Sequence, residues 1–228
     1  MFLILADAAD TSATWLAEAL RRRLVSVFYV TPLELLRARW TARLSGRCGA
    51  IEIELADGRT IATNRVRGTI NRVACLPYDV LEPISNDDRE YAAQELFALC
   101  LAFLDRLPPP VWNPPTPRWL AGPSLHELEW GQIAAHAGFH VATREWAADQ
   151  TDSSGAHDGG RPVIVLDDYV TPDTPAIADC CRKLARLANA PLLEVRVDGQ
   201  STFRRASPLA DFRLGGEQLV EELLARSA

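Results

Sequence analysis

One group of side chains combines residue types and a predicted placement that suit ligand binding. Arginine can pair with a carboxylate through its planar set of donors, and asparagine and tyrosine can orient amide groups. The group consists of Asn71, Arg72, Tyr91, Glu95, Trp112 and Asn113. If they form a site, Arg72 pairs with a ligand carboxylate, while Asn113 and Tyr91 orient its amide groups. The structural alternative is that Arg72 and Glu95 neutralise each other.

The elements predicted around this group place it at one edge of a sheet. Residues 66–71 and 111–113 read as strands, and residues 87–107 read as the long helix that crosses between them. Parallel strands present their carboxyl ends at a common edge, where open α/β folds bind ligands. We therefore expect these residues to meet there.

Other chemistry is less well supported by the residue pattern. The histidines are His126, His136, His140 and His157. Gly138 breaks the helix that would align His136 with His140, so we predict no metal site. Asp167 and Asp168 end a predicted strand and could hold a cation, although such a pair more often caps a turn. The cysteines Cys48, Cys75, Cys100, Cys180 and Cys181 have no CxxC spacing and are expected to be buried free thiols.

The charge balance limits the class of partner. The 228 residues carry a net charge of -6, which argues against a general nucleic-acid binder. Arginines nevertheless cluster near the N-terminus, at Arg21, Arg22 and Arg23 and then at Arg37, Arg39, Arg43 and Arg47. Helix-dipole matching and ordinary solvation explain this pattern. The functional alternative is an arginine-rich face that binds an acidic peptide or partner protein.

The N-terminal sequence MFLILADAAD reads as a first core strand rather than a signal peptide, because no basic segment precedes it and acid follows at Asp7. No apolar run reaches the roughly 20 residues that a membrane span needs. We therefore expect a cytoplasmic protein without a membrane partner. Homo-oligomer formation stays open, with exposed tryptophans as anchors: Trp15, Trp40, Trp119 or Trp146.

The first half of the chain reads as a βαβ unit followed by an antiparallel meander. The second strand is apolar throughout, so we expect it to be buried on both faces. Asp57-Gly58 is a hairpin signal, and Thr31-Pro32 begins a short helix. The predicted elements are strands at 2–6 and 25–30 around a helix at 11–24, then strands at 39–44, 50–55 and 59–63.

The second half begins with a proline-rich loop and a helix. Ser124 is the predicted N-cap of this helix, with Glu127 completing a capping box, and Gly138 ends it. Residues 149–160 are too rich in glycine, serine and aspartate to pack and are expected to form a mobile linker. The remaining predicted elements are strands at 139–143 and 162–167, a helix at 172–188, a hairpin of 191–197 with 202–205, and a helix at 214–226.

A strand ending in Asn113, followed by a loop and a helix that closes on Ala135, Ala137 and Gly138, resembles the entry to the nucleotide-binding domain of ATP-grasp ligases. The glutathione-synthetase-like and ribosomal-peptide-modifying members are the most similar. The strand end at residues 70–72, the long helix and the lobe at residues 176–228 follow in the order of that family. The resemblance implies an α/β fold. A pre-ATP-grasp-like βαβ sheet with an inserted antiparallel meander is expected at 1–148, a flexible linker at 149–161, and a small C-terminal α/β lobe at 162–228.

The chain departs from the family where ATP is held. ATP-grasp enzymes use two lysines on separate strands and bind magnesium through acidic residues and a Glu-x-Asn near the end of the chain. This chain has one lysine, Lys183, and reads FRRASP from Phe203 where Glu-x-Asn would fall. Arginine cannot ligate magnesium. Glu127 and Glu129 stand where a lysine often begins the helix, and a short connection replaces a nucleotide-gripping subdomain.

The function predicted from these residues is a non-catalytic, ATP-grasp-derived binding or accessory protein. It would recognise a peptide or protein partner in a peptide-modification pathway and need no cofactor. The alternative is an active ATP-dependent carboxylate-amine ligase that uses ATP and magnesium through an acyl phosphate. In that alternative, arginines replace the lysines, and Asp168 or Asp211 holds magnesium. An unrelated α/β binding protein with an accidental match is the third interpretation.

Overall fold

A computed structural model describes residues 1–45, 48–142, 160–199 and 201–227. These residues form two compact units, one of Met1–Pro123 with Val220–Ala228 and one of Ser124–Leu219. The division differs from the one predicted at residues 149–161. The helix that follows residue 124 packs its Trp130 and Ala134 into the same core as Leu184, so it belongs to the second unit. The predicted flexible linker falls largely outside the described residues.

The first unit opens with the predicted βαβ pattern. Its elements are β1 (Phe2–Leu5), α1 (Thr11–Arg22), β2 (Val27–Val30) and α2 (Pro32–Arg37). β1 is completely buried, whereas three of the four residues of β2 are only half-buried. The prediction that β2 is buried on both faces was wrong, because β2 is the outermost strand of its sheet.

The antiparallel meander is confirmed. It consists of β3 (Arg39–Ser45), β4 (Cys48–Glu54) and β5 (Thr60–Ala62), which form a separate three-stranded sheet. Gly58 has a φ of 82°, which allows the tight turn between β4 and β5. A 3-10 helix at Thr63–Arg65 then delays the next strand, so β6 (Gly68–Asn71) starts two residues later than predicted.

The rest of the first unit completes a parallel sheet. After a 3-10 turn at Tyr78–Leu81, the long helix α3 (Asn86–Asp105) leads to the short strand β7 (Val111–Trp112). The strand order is β2-β1-β6-β7, and all the pairs are parallel. The carboxyl ends of β1, β6 and β7 therefore lie at one edge of this sheet, as the sequence predicts.

The second unit is an antiparallel sheet, with one parallel edge strand, packed on helices. Its elements are α4 (Glu127–Ala137), β8 (His140–Val141), β9 (Arg161–Leu166), β10 (Tyr169–Val170), α5 (Pro175–Leu187), β11 (Leu192–Val197), β12 (Thr202–Ser207) and the start of α6 (Phe212–Arg226). The strand order is β10-β9-β11-β12-β8, and the predicted hairpin of β11 with β12 is confirmed. α6 starts earlier than predicted and is interrupted at Gly216, whose φ and ψ are not helical.

The N-cap of α4 differs from the prediction. His126, not Ser124, caps the helix, because its Nδ1 accepts a hydrogen bond from the Leu128 backbone at 3.2 Å. Glu129, not Glu127, closes the capping box by accepting from the His126 backbone at 2.7 Å. The predicted C-terminus is confirmed, since Gly138 takes the left-handed conformation there with a φ of 101°.

Candidate functional site

Asn71 lies at the carboxyl end of β6 and is fully buried. Its Nδ2 donates hydrogen bonds to the backbone oxygens of Asn113, at 2.9 Å, and Leu120. Its Oδ1 accepts from the Val73 backbone at 3.3 Å. The side chain therefore ties the end of β6 to the segment that follows β7.

Arg72 lies next to it and is paired within the protein. Its Nε contacts Oδ2 of Asp10 at 2.6 Å, and its side chain is only 7% exposed. The other carboxylate oxygen of Asp10 caps α1 by accepting from the Ala13 backbone at 2.9 Å. The carboxylate that neutralises Arg72 thus comes from Asp10 and not from Glu95, which is exposed on α3.

The other predicted site residues fall into two groups. Trp112 is buried and stacks on Phe2 with ring centroids 5.9 Å apart, and Asn113 follows it, fully buried and with a φ of 62°. Tyr91 is 66% exposed on α3. Within the described residues, neither Tyr91 nor Glu95 forms a hydrogen bond with the others. The structure brings Asn71, Arg72 and the end of β7 together at the sheet edge, and ligand binding by these residues stays a prediction.

Sequence reasoning missed three contributors to this edge, namely Asp7, Asp10 and Tyr29. The Tyr29 hydroxyl donates a hydrogen bond to the Asp7 backbone oxygen at 2.7 Å. Burial is the largest cause that raises the pKa of Tyr29, and the negative charges of Asp10 and Asp7 add to it, while a hydrogen bond with Thr14 and the charge of Arg72 oppose it. Asp10 could have been found as an N-cap directly after β1.

The described histidines have structural contacts, and the cysteines differ in burial. Cys100 and Cys181 are buried as expected, whereas Cys180 is half-buried and Cys75 is exposed, so the expectation of a buried thiol was wrong for Cys75. His126 caps α4, His136 Nδ1 contacts the Gln132 backbone oxygen at 2.9 Å, and His140 lies 3.4 Å from the Thr202 hydroxyl. His157 lies outside the described residues. Burial raises the pKa of Cys100 to about 11 and that of Cys181 to about 12, so both are inert thiols at neutral pH. Over the described part of the chain, no three metal-binding side chains converge.

The residues that the ligase alternative assigns to ATP and magnesium are either exposed or in contact with partners within the protein. Lys183 is exposed on α5. Arg204 on β12 is paired with Asp198 at 2.7 Å. Asp211 accepts from Arg213 at 2.7 and 2.8 Å, and the Asp168 backbone oxygen accepts from Arg182 at 2.8 Å. A phosphate at Arg204 would compete with Asp198, and a cation at Asp211 would compete with Arg213.

An open groove of about 270 Å³ lies in the second unit, beside α4 and the edge strand β8. Leu128, Gly131, Gln132 and Ala135 lie on one face of α4, because they are three, four and seven residues apart. The opposite wall comes from the edge of the sheet, and Glu127 and Arg204 are the charged residues that line the groove. The wall residues of the sheet are Val141, Ala142, Phe203 and Arg204.

The groove exposes apolar surface that the core leaves uncovered. Leu128 is 48% exposed, although leucine is normally buried. Gly131 keeps this part of the groove open. A Cβ at this position would lie 3.7 Å from the Val141 side chain and would fill the space between them. A few convergent polar groups beside a mostly apolar surface are typical of a binding site.

Several solved structures resemble this fold over nearly the whole chain. The crystal structure of macrocyclase MdnC bound with precursor peptide MdnA, from Microcystis aeruginosa MRC, is 9% identical, with a TM-score of 0.71 and 99% of this chain and 100% of that chain covered. A Chryseobacterium gregarium RiPP-associated ATP-grasp ligase, in complex with ADP and a leader and core peptide, is 10% identical and has a TM-score of 0.67. The match covers 99% of this chain and 94% of that chain. ATP-grasp ligase PsnB complexed with minimal precursor is 17% identical and has a TM-score of 0.72. The match covers 100% of this chain and 98% of that chain.

These likenesses establish the fold. The α/β class and the ATP-grasp resemblance predicted from the sequence are confirmed at that level. No family model and no curated protein matches the sequence. Among the described helices, none combines the length and the apolar character needed to cross a bilayer. A cytoplasmic location stays a prediction.

Proposed function

We propose that this protein binds a peptide in a peptide-modification pathway and does not itself activate carboxylates with ATP. Support for the pathway comes from the fold shared with a macrocyclase solved with its precursor peptide and with an ATP-grasp ligase solved with a leader and core peptide. Support for the absence of catalysis comes from the charged residues that a nucleotide would need to contact, because they are already paired within the protein. Such a protein would present or retain a peptide for an enzyme that carries out the ligation.

The observation that carries the proposal is that charged residues near the end of the second unit are already paired with other residues of the protein. Glu194 is buried, accepts from Arg196 at 2.8 Å, and also accepts from the Asp211 backbone at 3.0 Å. Asp211 is in turn held by Arg213. Breaking such pairs to admit phosphate or magnesium costs free energy that a nucleotide would have to supply.

The groove beside α4 is the peptide site in this proposal. Its volume of about 270 Å³ suits a small number of apolar side chains rather than a whole nucleotide. Leu128 on α4 and the half-buried Val141 on β8 supply apolar contacts on opposite walls. Apolar anchors that fill such grooves provide most of the affinity in peptide recognition.

Selection from a displayed peptide library tests the groove. We expect enriched peptides to share a bulky apolar residue and to lose at least about tenfold in affinity with Leu128→Arg, because a charge would enter an apolar contact. Leu187→Arg is the matched control, since Leu187 is 57% exposed on α5 of the same unit and does not line the groove. Equal binding by wild type and Leu128→Arg would remove the groove from the proposal.

The sheet edge of the first unit is the second candidate contact surface. Asn71, Arg72, Tyr91, Glu95, Trp112 and Asn113 make up that prediction. Affinities of the selected peptides for Arg72→Ala and Asn113→Ala test it, after the folded state of each variant has been checked by circular dichroism. Unchanged affinities would restrict these residues to a structural role.

The active ligase is the alternative function, and it is favoured by the fold of the solved ligases, one of which was solved with ADP. Calorimetric titration of the full chain with Mg-ATP separates the two functions. We expect no saturable heat and no thermal shift. Saturable binding in the micromolar range would overturn the non-catalytic proposal and leave peptide binding untouched.

A further inference from the structure

The C-terminus of α1 is closed by a backbone motif that normally contains glycine. The Leu24 amide donates to the Arg21 oxygen at 2.9 Å, and the Val25 amide donates to the Leu20 oxygen at 3.2 Å. This is the hydrogen-bond pattern of a Schellman motif, in which the residue after the cap is left-handed. Leu24 occupies that position with a φ of 61°.

Two other helices end with the same bonds but with residues suited to them. At the end of α4, the Phe139 amide donates to the Ala134 oxygen, and the left-handed residue is Gly138. At the end of α5, the Ala190 amide donates to the Ala185 oxygen, and the left-handed residue is Asn189. Glycine and asparagine accept this conformation readily, whereas the Cβ of leucine makes it costly.

Burial does not compensate for the cost at Leu24. Its side chain is 96% exposed, the highest value among the large apolar residues of the described chain. A rigid cap thus holds an apolar side chain in solvent. Backbone strain of this kind is found at sites that contact other molecules.

Exposed arginines lie along the same edge of the sheet. The Phe2 amide donates to the Ser26 oxygen at 2.8 Å, and the Arg67 amide donates to the Met1 oxygen at 2.9 Å. Phe2 of β1 pairs with the first residues of both β2 and β6. The cap of α1 and the segment containing Arg65 and Arg67 therefore lead into the two strands that flank β1, at its amino-terminal end.

Three arginines near this edge have no ion-pair partner among the residues that the structure describes. Arg21, Arg65 and Arg67 are exposed, and none of them forms an ion pair within the described ranges. The neighbouring Glu221 faces Arg23 at 3.9 Å. By contrast, Arg59 contacts Glu34 at 2.7 Å, and the guanidinium of Arg204 contacts Asp198.

We propose that the arginine edge, defined as Arg21, Leu24, Arg65 and Arg67, binds an acidic peptide segment that carries a bulky apolar side chain. The guanidinium groups would pair with glutamate or aspartate carboxylates, and Leu24 would contact the apolar residue. Nucleic acid fits less well, because three arginines on a chain of net charge -6 make a small phosphate-binding surface. This inference goes beyond the proposed function and does not depend on the groove beside α4.

Fluorescence anisotropy with a labelled synthetic peptide, in which leucine lies between runs of glutamate, tests the arginine edge on the full chain. We expect saturable binding that weakens as salt is raised. The double variant Arg65→Gln, Arg67→Gln should bind at least about tenfold more weakly, because each charge-assisted contact contributes to affinity. Leu24→Gly should weaken binding about fivefold. A peptide with serine in place of leucine should bind the wild type and Leu24→Gly with equal affinity.

Matched variants distinguish this edge from general charge effects. Arg186→Gln removes an exposed arginine from α5 and should leave the affinity unchanged. Leu128→Arg should also leave the affinity for the acidic peptide unchanged. A negative result for the groove and a negative result for the arginine edge can therefore be told apart. The inference is overturned by non-saturable binding, by an equal loss with Arg186→Gln, or by tighter binding of duplex DNA or anionic vesicles than of the peptide.

Discussion

The two edges of the parallel sheet in the first unit use arginine in opposite ways. At the carboxyl edge, Arg72 is buried against Asp10, and the hydrogen-bonding groups of Asn71 are taken up by the backbone. At the amino edge, Arg65 and Arg67 are exposed without ion-pair partners among the described residues. Polar residues that converge at one end of a sheet therefore do not by themselves make that end available to a partner.

The largest expected effect comes from breaking the ion pair at the carboxyl edge. Arg72→Ala should lower the free energy of unfolding by about 3 kcal/mol, because it leaves the Asp10 carboxylate largely buried without its cation. Urea denaturation followed by circular dichroism measures this change. Arg67→Ala is the control at the amino edge, and its effect should stay within about 0.5 kcal/mol. Equal effects would remove the distinction between the two edges.

The second effect concerns the amide that joins β6 to the segment after β7. Asn71→Ala should destabilise the protein by about 2 kcal/mol, since the buried backbone oxygens of Asn113 and Leu120 lose their donor. The exposed Asn64 offers a matched substitution, and Asn64→Ala should be nearly neutral. A loss below about 0.5 kcal/mol in Asn71→Ala would mean that water replaces the lost donor.

The third effect has the opposite sign. Leu24→Gly should raise the free energy of unfolding by about 1 kcal/mol, because glycine relieves the left-handed strain and almost no apolar burial is lost. Leu99→Gly makes the same change at an exposed leucine inside α3 and should instead destabilise by at least about 1 kcal/mol. Destabilisation by Leu24→Gly would show that the leucine contributes to the fold and would weaken its assignment to a partner.

The smallest effect is electrostatic and is read from Tyr29 at the carboxyl edge. Its pKa is raised above 10.0, chiefly by burial, so Tyr29 should ionise at a higher pH than an unperturbed tyrosine does in an ultraviolet titration. The folded state favours the neutral phenol. The resulting stabilisation is present below pH 10 and is lost as the pH rises through the folded pKa.

Substitutions at the two edges should separate in the same titration. Arg72→Ala should raise the pKa of Tyr29 further, since the positive charge of Arg72 lowers it. Arg65→Ala, at the other edge, should not change it. A shift of equal size in both variants would mean that net charge, rather than the local pair, controls this phenol.

Local patterns were sufficient to predict most of the elements. The apolar runs and the caps of the βαβ unit, the Asp57-Gly58 turn of the meander, and Gly138 at the end of α4 each depend on neighbours within a few residues. The cap of α4 was misplaced because His126 can accept a hydrogen bond as serine does, and serine is the commoner cap. The two-residue strand β10 is too short to leave a periodic signal.

The candidate site was less predictable because its partners are distant in sequence. Asp10 and Arg72 are 62 residues apart, and only the assembled sheet shows that they form a pair. Glu95 was the nearer candidate on the chain but faces solvent. The groove beside α4 depends on the parallel pairing of β8 with β12, which joins residues about 60 apart. The strained cap at Leu24 could not be predicted, since leucine is uncommon in a left-handed position.

The path of α6 has a consequence for how the chain folds as it is synthesised. This helix begins in the second unit, is interrupted at Gly216, and ends in the first unit, where Val220 and Leu223 are fully buried. The first unit is therefore discontinuous in sequence, and the second is inserted into it. On the ribosome, residues 1–123 cannot complete their packing until residues 220–227 have emerged, so the N-terminal unit should be the last to acquire its native structure, contrary to the usual N-to-C order.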